Sequence, residues 1–451
     1  MQTVDSQIPA VAWPTTSSPA CLPAVLETPG GLGFAAPICL SDVGSPACAT
    51  LPALSTPLRV RRVAPALTVR KAGAAEPFAR ADELATLACS WNSLAGKVPF
   101  RSFEWMESWW RHYRLPGWQT YLLAVVDAEG RIVGIAPWYI ARSPIAGRVV
   151  QFMGSGEACS EYLTVLTRPG HERGVVAALS QWLTTEGARD WDLMLLTAVL
   201  ESDPATSALA EDFARRGHVV DQRPGMACWQ CDLPATWDEF VRQLSKSRRE
   251  RVRQLTRKYF DMGRVQTRWV STAAELEQAF AMFVDMHQRR RQSLGQPGCY
   301  ASPRFAAFHR EVSRRLCAEG KLRLLWTELD GRPVGAEYDF MDGRTVYYYS
   351  TGVEPDATAD NPGWLAMIGS LRRAIDEGCR SFDFLRGDEA YKCSWGAKPR
   401  PTLETRIIAR RGLAGLRHTA WLGRQQFRHW AKQAKAWSSL RKRNDSASKT
   451  S

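Results

Sequence analysis

Basic residues are missing from the first 58 positions: Lys and Arg begin at Arg59, and nine prolines between Pro9 and Pro57 interrupt every apolar run before it. A secretory signal needs a basic start and a continuous apolar stretch. The composition reads instead as a disordered Pro-rich leader over 1–76, with a misassigned start codon as its rival. Beyond the leader there is no charge-free apolar run of 18 residues, so no spanning helix is expected there. The seven His are scattered and H-E-x-x-H is absent, so no metal is expected. A G-x-x-x-x-G-K-[ST] phosphate loop is also absent, and Gly154–Ser155–Gly156 lacks the third Gly and following helix of a dinucleotide-binding turn. Eleven Cys is an odd count without even spacing, which excludes a disulfide scaffold. Cys228 and Cys231 form a C-x-x-C without a second pair, in a segment that alternates like a strand.

What is present is ordinary for a soluble chain: 451 residues, 45% hydrophobic and 23% charged, enough for about three domain-sized units. The formal net charge is +13, but ten basic residues and no acid lie between Arg410 and Arg443. The high pI therefore belongs to a tail, 412–451, and nucleic acid is not an expected partner of the nearly balanced body. Trp421, Phe427, Trp430, Ala434 and Trp437 intermix with these charges. Such a helix suits peripheral contact with an anionic membrane surface; packing of Trp430 and Trp437 on the body is the other reading. The expected location is cytoplasmic, with the inner membrane surface as its variant.

Periodicity predicts helices over 80–95 and Phe103–Tyr113, strands over Thr120–Asp127, Arg131–Ile140, Arg148–Met153 and Tyr162–Leu166, then helix, strand and helix to Arg216. From Leu322 the script repeats: hairpin strands around Asp330–Gly331, a strand Arg344–Ser350, a helix Trp364–Glu377 and a strand Ser381–Leu385. Gly130 and Gly134 map onto Gly331 and Gly335; Gly187 and Asp192 map onto Gly378 and Asp383. This predicts a duplicated α/β unit, 77–232 and 321–411, joined by a helical bridge 233–320. The bridge holds the basic run Lys246–Lys258, read as a solvated face or an RNA- or phosphate-binding surface.

The densest polar segment is Phe382–Gly396, FDFLRGDEAYKCSWG, where a buried strand runs into Arg386, Gly387, Asp388, Glu389, Tyr391, Lys392 and Trp395. Open α/β sheets bind ligands at such strand ends. This segment resembles the closing element of the CelD/BioF2-like branch of the GNAT acyltransferase superfamily, FDFLRGDEPYKxxWG, with Ala390 in place of Pro. The aromatic helix Phe103–Tyr113, the strand Val334–Phe340 (Gly335 and Asp339 depart from the pattern) and Asn361–Pro362–Gly363 resemble further family elements. The likeness spans roughly 78–411 and extends to the tandem Fem transferases.

The resemblance implies two tandem GNAT-like units with mixed central sheets. It implies transfer of an acyl group, acetyl first among them, from acyl-CoA to an amine or hydroxyl of a small-molecule or saccharide acceptor, in a polysaccharide or cellulose context. A non-catalytic scaffold of a polysaccharide synthase and a Fem-type aminoacyl transferase are the alternatives. Glu337, Tyr348, Asp388, Tyr391 and Lys392 are the catalytic candidates. Glu337 is a base, or else a carboxylate paired with Arg344 or Arg386; Tyr348 and Tyr391 are acids, or else core hydroxyls. Asn361, Pro362, Gly363, Trp364, Arg386 and Gly387 are assigned to acyl-CoA, although the usual glycine-rich pyrophosphate loop is missing and 354–363 is acidic. Glu161, Tyr162 and Trp395 are assigned to the acceptor.

Overall fold

Side-chain caps set most helix starts: Ser102, Asp203, Thr236, Ser245, Thr272 and Ser302 each accept a hydrogen bond from the backbone amide three residues on. The computed structural model describes residues 67–71 and 81–424. In chain order these form β1 (Thr68–Lys71), α1 (Ala81–Ala95), α2 (Phe103–Tyr113), β2 (Gln119–Val126), β3 (Ile132–Ser143), β4 (Gly147–Phe152), β5 (Leu166–Thr167), α3 (Glu172–Thr184), β6 (Leu193–Leu200), α4 (Pro204–Arg215) and β7 (Val219–Pro224). There follow β8 (Cys228–Asp232), α5 (Trp237–Gln243), α6 (Lys246–Leu255), β9 (Val265–Trp269), α7 (Ala273–Ser293), α8 (Pro303–Ala318), β10 (Leu322–Leu329), β11 (Arg332–Asp342) and β12 (Thr345–Val353). The described residues close with α9 (Pro362–Asp376), β13 (Ser381–Arg386), α10 (Ala390–Ser394), β14 (Lys398–Arg400), β15 (Thr402–Ile408) and a helix α11 over 412–424. No described helix is long and apolar enough to cross a membrane.

The strands build two mixed sheets, as the duplication predicts. The first runs β1-β2-β3-β4-β6-β15-β7, with β5 on β3; the second runs β14-β8-β13-β12-β11-β10-β9. In each, one parallel pair, β4/β6 or β12/β13, interrupts an otherwise antiparallel ladder. The sheets exchange strands across the boundaries read from sequence. β8, before residue 233, enters the second sheet, and β15, within 321–411, enters the first between β6 and β7.

The hairpins that revealed the repeat agree down to their irregularities. Val125 faces Gly134 and Thr327 faces Gly335, each followed by a register shift. Both glycines let the next helix lie close. A Cβ on Gly134 would come within 2.4 Å of Val175 on α3, and one on Gly335 within 3.1 Å of Ala366 on α9. The second pair of landmarks is not equivalent. Asp192 precedes β6 and accepts from the Arg148 amide, whereas Asp383 is buried in the middle of β13.

Three further readings are corrected. Tyr162–Leu166 is not a strand: Cys159 and Tyr162 take positive φ, and pairing is confined to Leu166–Thr167. Thr68–Lys71, expected in the leader, is an edge strand on β2; the rest of the expected leader, apart from Leu67, lies outside the described residues. The tail does not leave the body at Arg411. In α11, Ala414 is buried and Trp421 lies under Arg406 and Arg223, 3.8 and 4.4 Å from ring centre to guanidinium. Phe427, Trp430 and Trp437 lie outside the described residues.

One apolar core joins the first sheet, α2, α7, α8 and the near face of the second sheet; another fills the far face under α5, α6 and α9. The aromatic helix α2 connects the halves. Trp105 packs edge-on to Phe308 and Phe340 and donates its indole N–H to Ser160 at 2.8 Å.

Candidate active site at the splayed strands of the second sheet

The parallel pairing of β12 with β13 covers only Thr345–Tyr347 and Ser381–Asp383; beyond it the strands part. Each strand carries a bulge-like irregularity there. The β11/β12 register shifts around Asp339, whose carboxylate accepts from the Tyr349 amide at 3.3 Å. The β13/β8 register shifts between Asp383 and Leu385; Leu385 has φ 56° and its amide is held by Asp383 at 2.8 Å. Bulges bend strands and end pairing, so the sequence opens this wedge by design of both edges. In the first sheet β4 and β6 part in the same way, but the chain fills the gap with itself. The Leu163 amide donates to Ala198 O at 3.0 Å, and Ser160–Leu163 are buried there.

On the α9 face of the second wedge stand Glu337, Asp339, Tyr348 and Tyr391. Glu337 is 2% exposed, and neither carboxyl oxygen has a hydrogen-bond partner among the described residues. Burial pushes it up to about 7, with the Ser370 hydroxyl and Arg323 pulling the other way. Asp339, fully buried and next to Glu337, is also pushed well above the usual carboxylate range. The cation beside this pair is Arg323, 3.5 Å from Asp339 and bonded to Ser370, not Arg344 or Arg386. Tyr348 packs on Phe382 and Phe384 and accepts from Thr351. Tyr391, 39% exposed, stands on α10 over the wedge. Burial and the nearby Glu389, Glu337 and Asp339 raise its hydroxyl, while Arg291 from the opposite wall draws it back.

Much of the polar motif is architecture. Lys392 is 2% exposed; its ammonium donates to the carbonyls of Leu385 (3.2 Å), Arg386 (2.6 Å) and Gly387 (3.4 Å) and pairs with Glu389 at 2.9 Å. These carbonyls lie where β13 ends and the chain turns, and the buried ammonium finds its partners there. Arg386 pairs with buried Glu161 and donates to Ser160 O, so both residues lock the two halves together. Burial raises Glu161 despite this partner. Tyr162 is buried with its hydroxyl 2.5 Å from Asp383. Gly387, at φ 118°, makes the turn; a Cβ there would meet Glu389 at 2.3 Å. Trp395 is buried against Trp364. Asp388 is exposed.

At the start of α9, Asn361 takes φ 57°, Pro362 is buried and Gly363 is exposed with nothing within 4 Å of an added Cβ. The basic helix α6 crosses here, which sequence reading did not place. Arg251 donates to Asn361 at 2.9 Å, and Arg248 covers Trp364 and Trp395 at 4.1 and 5.3 Å. Cations at this helix start stand where the glycine-rich loop is missing. The other wall of the wedge comes from the α7–α8 connection and from 154–162. His287 there is held near 4 and Cys299 near 12 by burial, so both are neutral at pH 7. A cavity of about 660 Å³ lies elsewhere, along α7 and α8 beside His112. Among the described residues no group of three or more His, Cys, Asp or Glu is placed to hold a metal.

Residues 246–393 match the family described as acetyltransferase (GNAT) domain. This matched segment is similar to a GNAT domain. It spans the basic helix, the whole of β9 to β13 and the wedge. The solved structure of FemX shares the fold, with a TM-score of 0.52 and 12% identity over 73% of this chain and 98% of that one. A tandem GNAT protein from the clavulanic acid biosynthesis pathway gives 0.40 at 13% identity, covering 76% and 98%. The C-terminal domain (DUF2156) of a putative lysylphosphatidylglycerol synthetase from Agrobacterium fabrum gives 0.46 at 9% identity, covering 74% and 96%. No curated protein is significantly similar in sequence.

Proposed function

We propose that the GNAT domain seats an acyl-CoA in the wedge between β12 and β13 and passes its acyl group, acetyl in the simplest case, to an amine or hydroxyl acceptor. A saccharide acceptor would follow from the CelD/BioF2-like resemblance. The observation that carries the reading is the open wedge flanked by a carboxyl near 7 and a half-exposed tyrosine. The thioester carbonyl lies along the unpaired edge of β12, whose amides can receive the developing oxyanion. Tyr391 protonates the leaving thiolate. Glu337 takes up the proton lost by the acceptor by way of the nearby Tyr348 hydroxyl and returns one to Tyr391, so the enzyme ends the turnover in its starting protonation state. The pyrophosphate meets the opening turn of α9, with Arg248 and Arg251 supplying charge. Asp388, exposed at the rim, is left a contact to the acceptor.

Calorimetry should show acetyl-CoA binding to the full chain, and thiol release with amine acceptors should follow. Tyr391→Phe and Glu337→Gln are each expected to lower kcat about a hundredfold with acetyl-CoA affinity kept. Wild-type rates in both variants would remove these roles.

A second reading, aminoacyl transfer of the Fem type, is favoured by one feature. Lys246, Arg253, Arg257 and Lys258 are exposed on and just beyond α6, beside the opening of α9. It predicts tRNA binding whose affinity drops steeply with salt, with a slope reduced by about one per charge removed. Salt-independent or absent binding ends that reading.

A further inference from the structure

The α7–α8 connection is held to the last turns of α7 by three side chains. His287 Nε2 lies 3.6 Å from Cys299 Sγ, Gln288 donates to Pro297 O at 3.0 Å, and Arg291 donates to Gln296 at 2.9 Å. The helix itself lies tight on β12, where a Cβ on Gly352 would sit 2.8 Å from the His287 amide. This puts one wall of α7 beside the wedge, opposite α9. Three arginines around this wall are matched by carboxylates: Arg289 with Glu354 and Asp285, Arg386 with Glu161, Arg304 with Glu157. Arg291 is half-buried and makes no ion pair among the described residues. Its field reaches Cys299 on its own side and Tyr391 across the gap. His287 and Cys299 are neutral, so Arg291 charges this wall.

We propose that Arg291 is the specificity-determining anchor for an anionic group, a carboxylate or a phosphate, on the acceptor. This rests on the acyl-transfer reading above and names the acceptor's class: an amine or hydroxyl compound that also bears an oxyanion. A guanidinium partly out of water and without a counter-ion is costly, and a ligand oxyanion meeting its fork of donors offsets that cost. The α9 opening takes the donor's phosphates from one face of the sheet. The acceptor arrives from the other, its anion on Arg291 and its nucleophile at the thioester.

Acetyl-CoA consumption is measured with two matched pairs, glycine against glycinamide and glucosamine 6-phosphate against glucosamine, which separate carboxylate from phosphate. The anionic member of at least one pair should have the higher kcat/KM by roughly ten- to hundredfold. Arg291→Ala should abolish that preference mainly through KM, Arg291→Lys should restore part of it, and acetyl-CoA affinity by calorimetry should not change. Equal rates within both pairs, or a preference that survives Arg291→Ala, overturn the inference and leave acyl transfer standing. Failure of acetyl-CoA to bind removes both. If acetyl-CoA binds and none of the four compounds is acylated, phenylglyoxal labelling decides. Protection of Arg291 by glycine or glucosamine 6-phosphate, and not by their neutral partners, supports the anchor; absence of protection overturns it.

Discussion

Glu337 is a carboxyl whose environment differs most from water in a direction that matters near neutral pH. Its folded value, about 7, lies above the ordinary carboxylate value of 4.5, so between those pH values the folded chain holds a proton that the unfolded chain has released. Stability from this group is therefore present at low pH and lost as pH rises through 7, by about 3 kcal/mol in all. Glu337→Gln should flatten that loss: urea unfolding at pH 4.5 and pH 8 should show a smaller difference for the variant than for the wild type. Parallel behaviour would mean that the carboxyl is hydrated. The same residue shows how far side chains could be read from sequence. Its place on a core strand followed from the hairpin around Asp330–Gly331, but the cation beside it did not, because Arg323 stands opposite Asp339 on β10 and bonds that residue and Ser370. The surroundings of Lys392 were hidden for a similar reason. An ammonium next to a strand end looks reactive in a string of letters, and only the turn at Gly387 reveals the three carbonyls it satisfies.

At the level of elements, the two hairpins were legible because glycine was needed where a helix lies on the sheet. The clearances differ, which makes the repeat testable. Gly134→Ala drives a methyl into Val175 and should cost about 1–3 kcal/mol, while Gly335→Ala, with 3.1 Å to the Ala366 methyl, should cost less. Chemical denaturation midpoints rank the two; the reverse order would mean that α9, not α3, is the rigidly seated helix. Most strands followed from apolar runs, as in β3 and β11. The Tyr162 segment misled because its apolar residues are buried in an irregular loop that fills the first wedge, where the period-two alternation means nothing. The opening in the second sheet was legible as a place but not as a shape, since neither bulge, at Asp339 or at Leu385, has a residue type that announces it.

At the scale of the whole molecule, each half borrows a strand from beyond the other's boundary. A fragment ending at residue 232 lacks β15, so β6 and β7 lose their shared partner and expose two long edges. Expressed alone, 67–232 should aggregate or bind hydrophobic dyes, and co-expression with 233–424 should not yield two separable domains. A soluble, cooperatively melting 67–232 would show that β15 is dispensable.

The position of β15 also imposes an order on synthesis. Residues that open the first sheet leave the ribosome long before the strand that closes it, at about 5–20 residues per second, and the entire second sheet is translated in between. The nascent chain must therefore carry an unfinished layer through nearly its whole birth. A chaperone that shields the β6 and β7 edges during that interval would limit how fast the active fold accumulates.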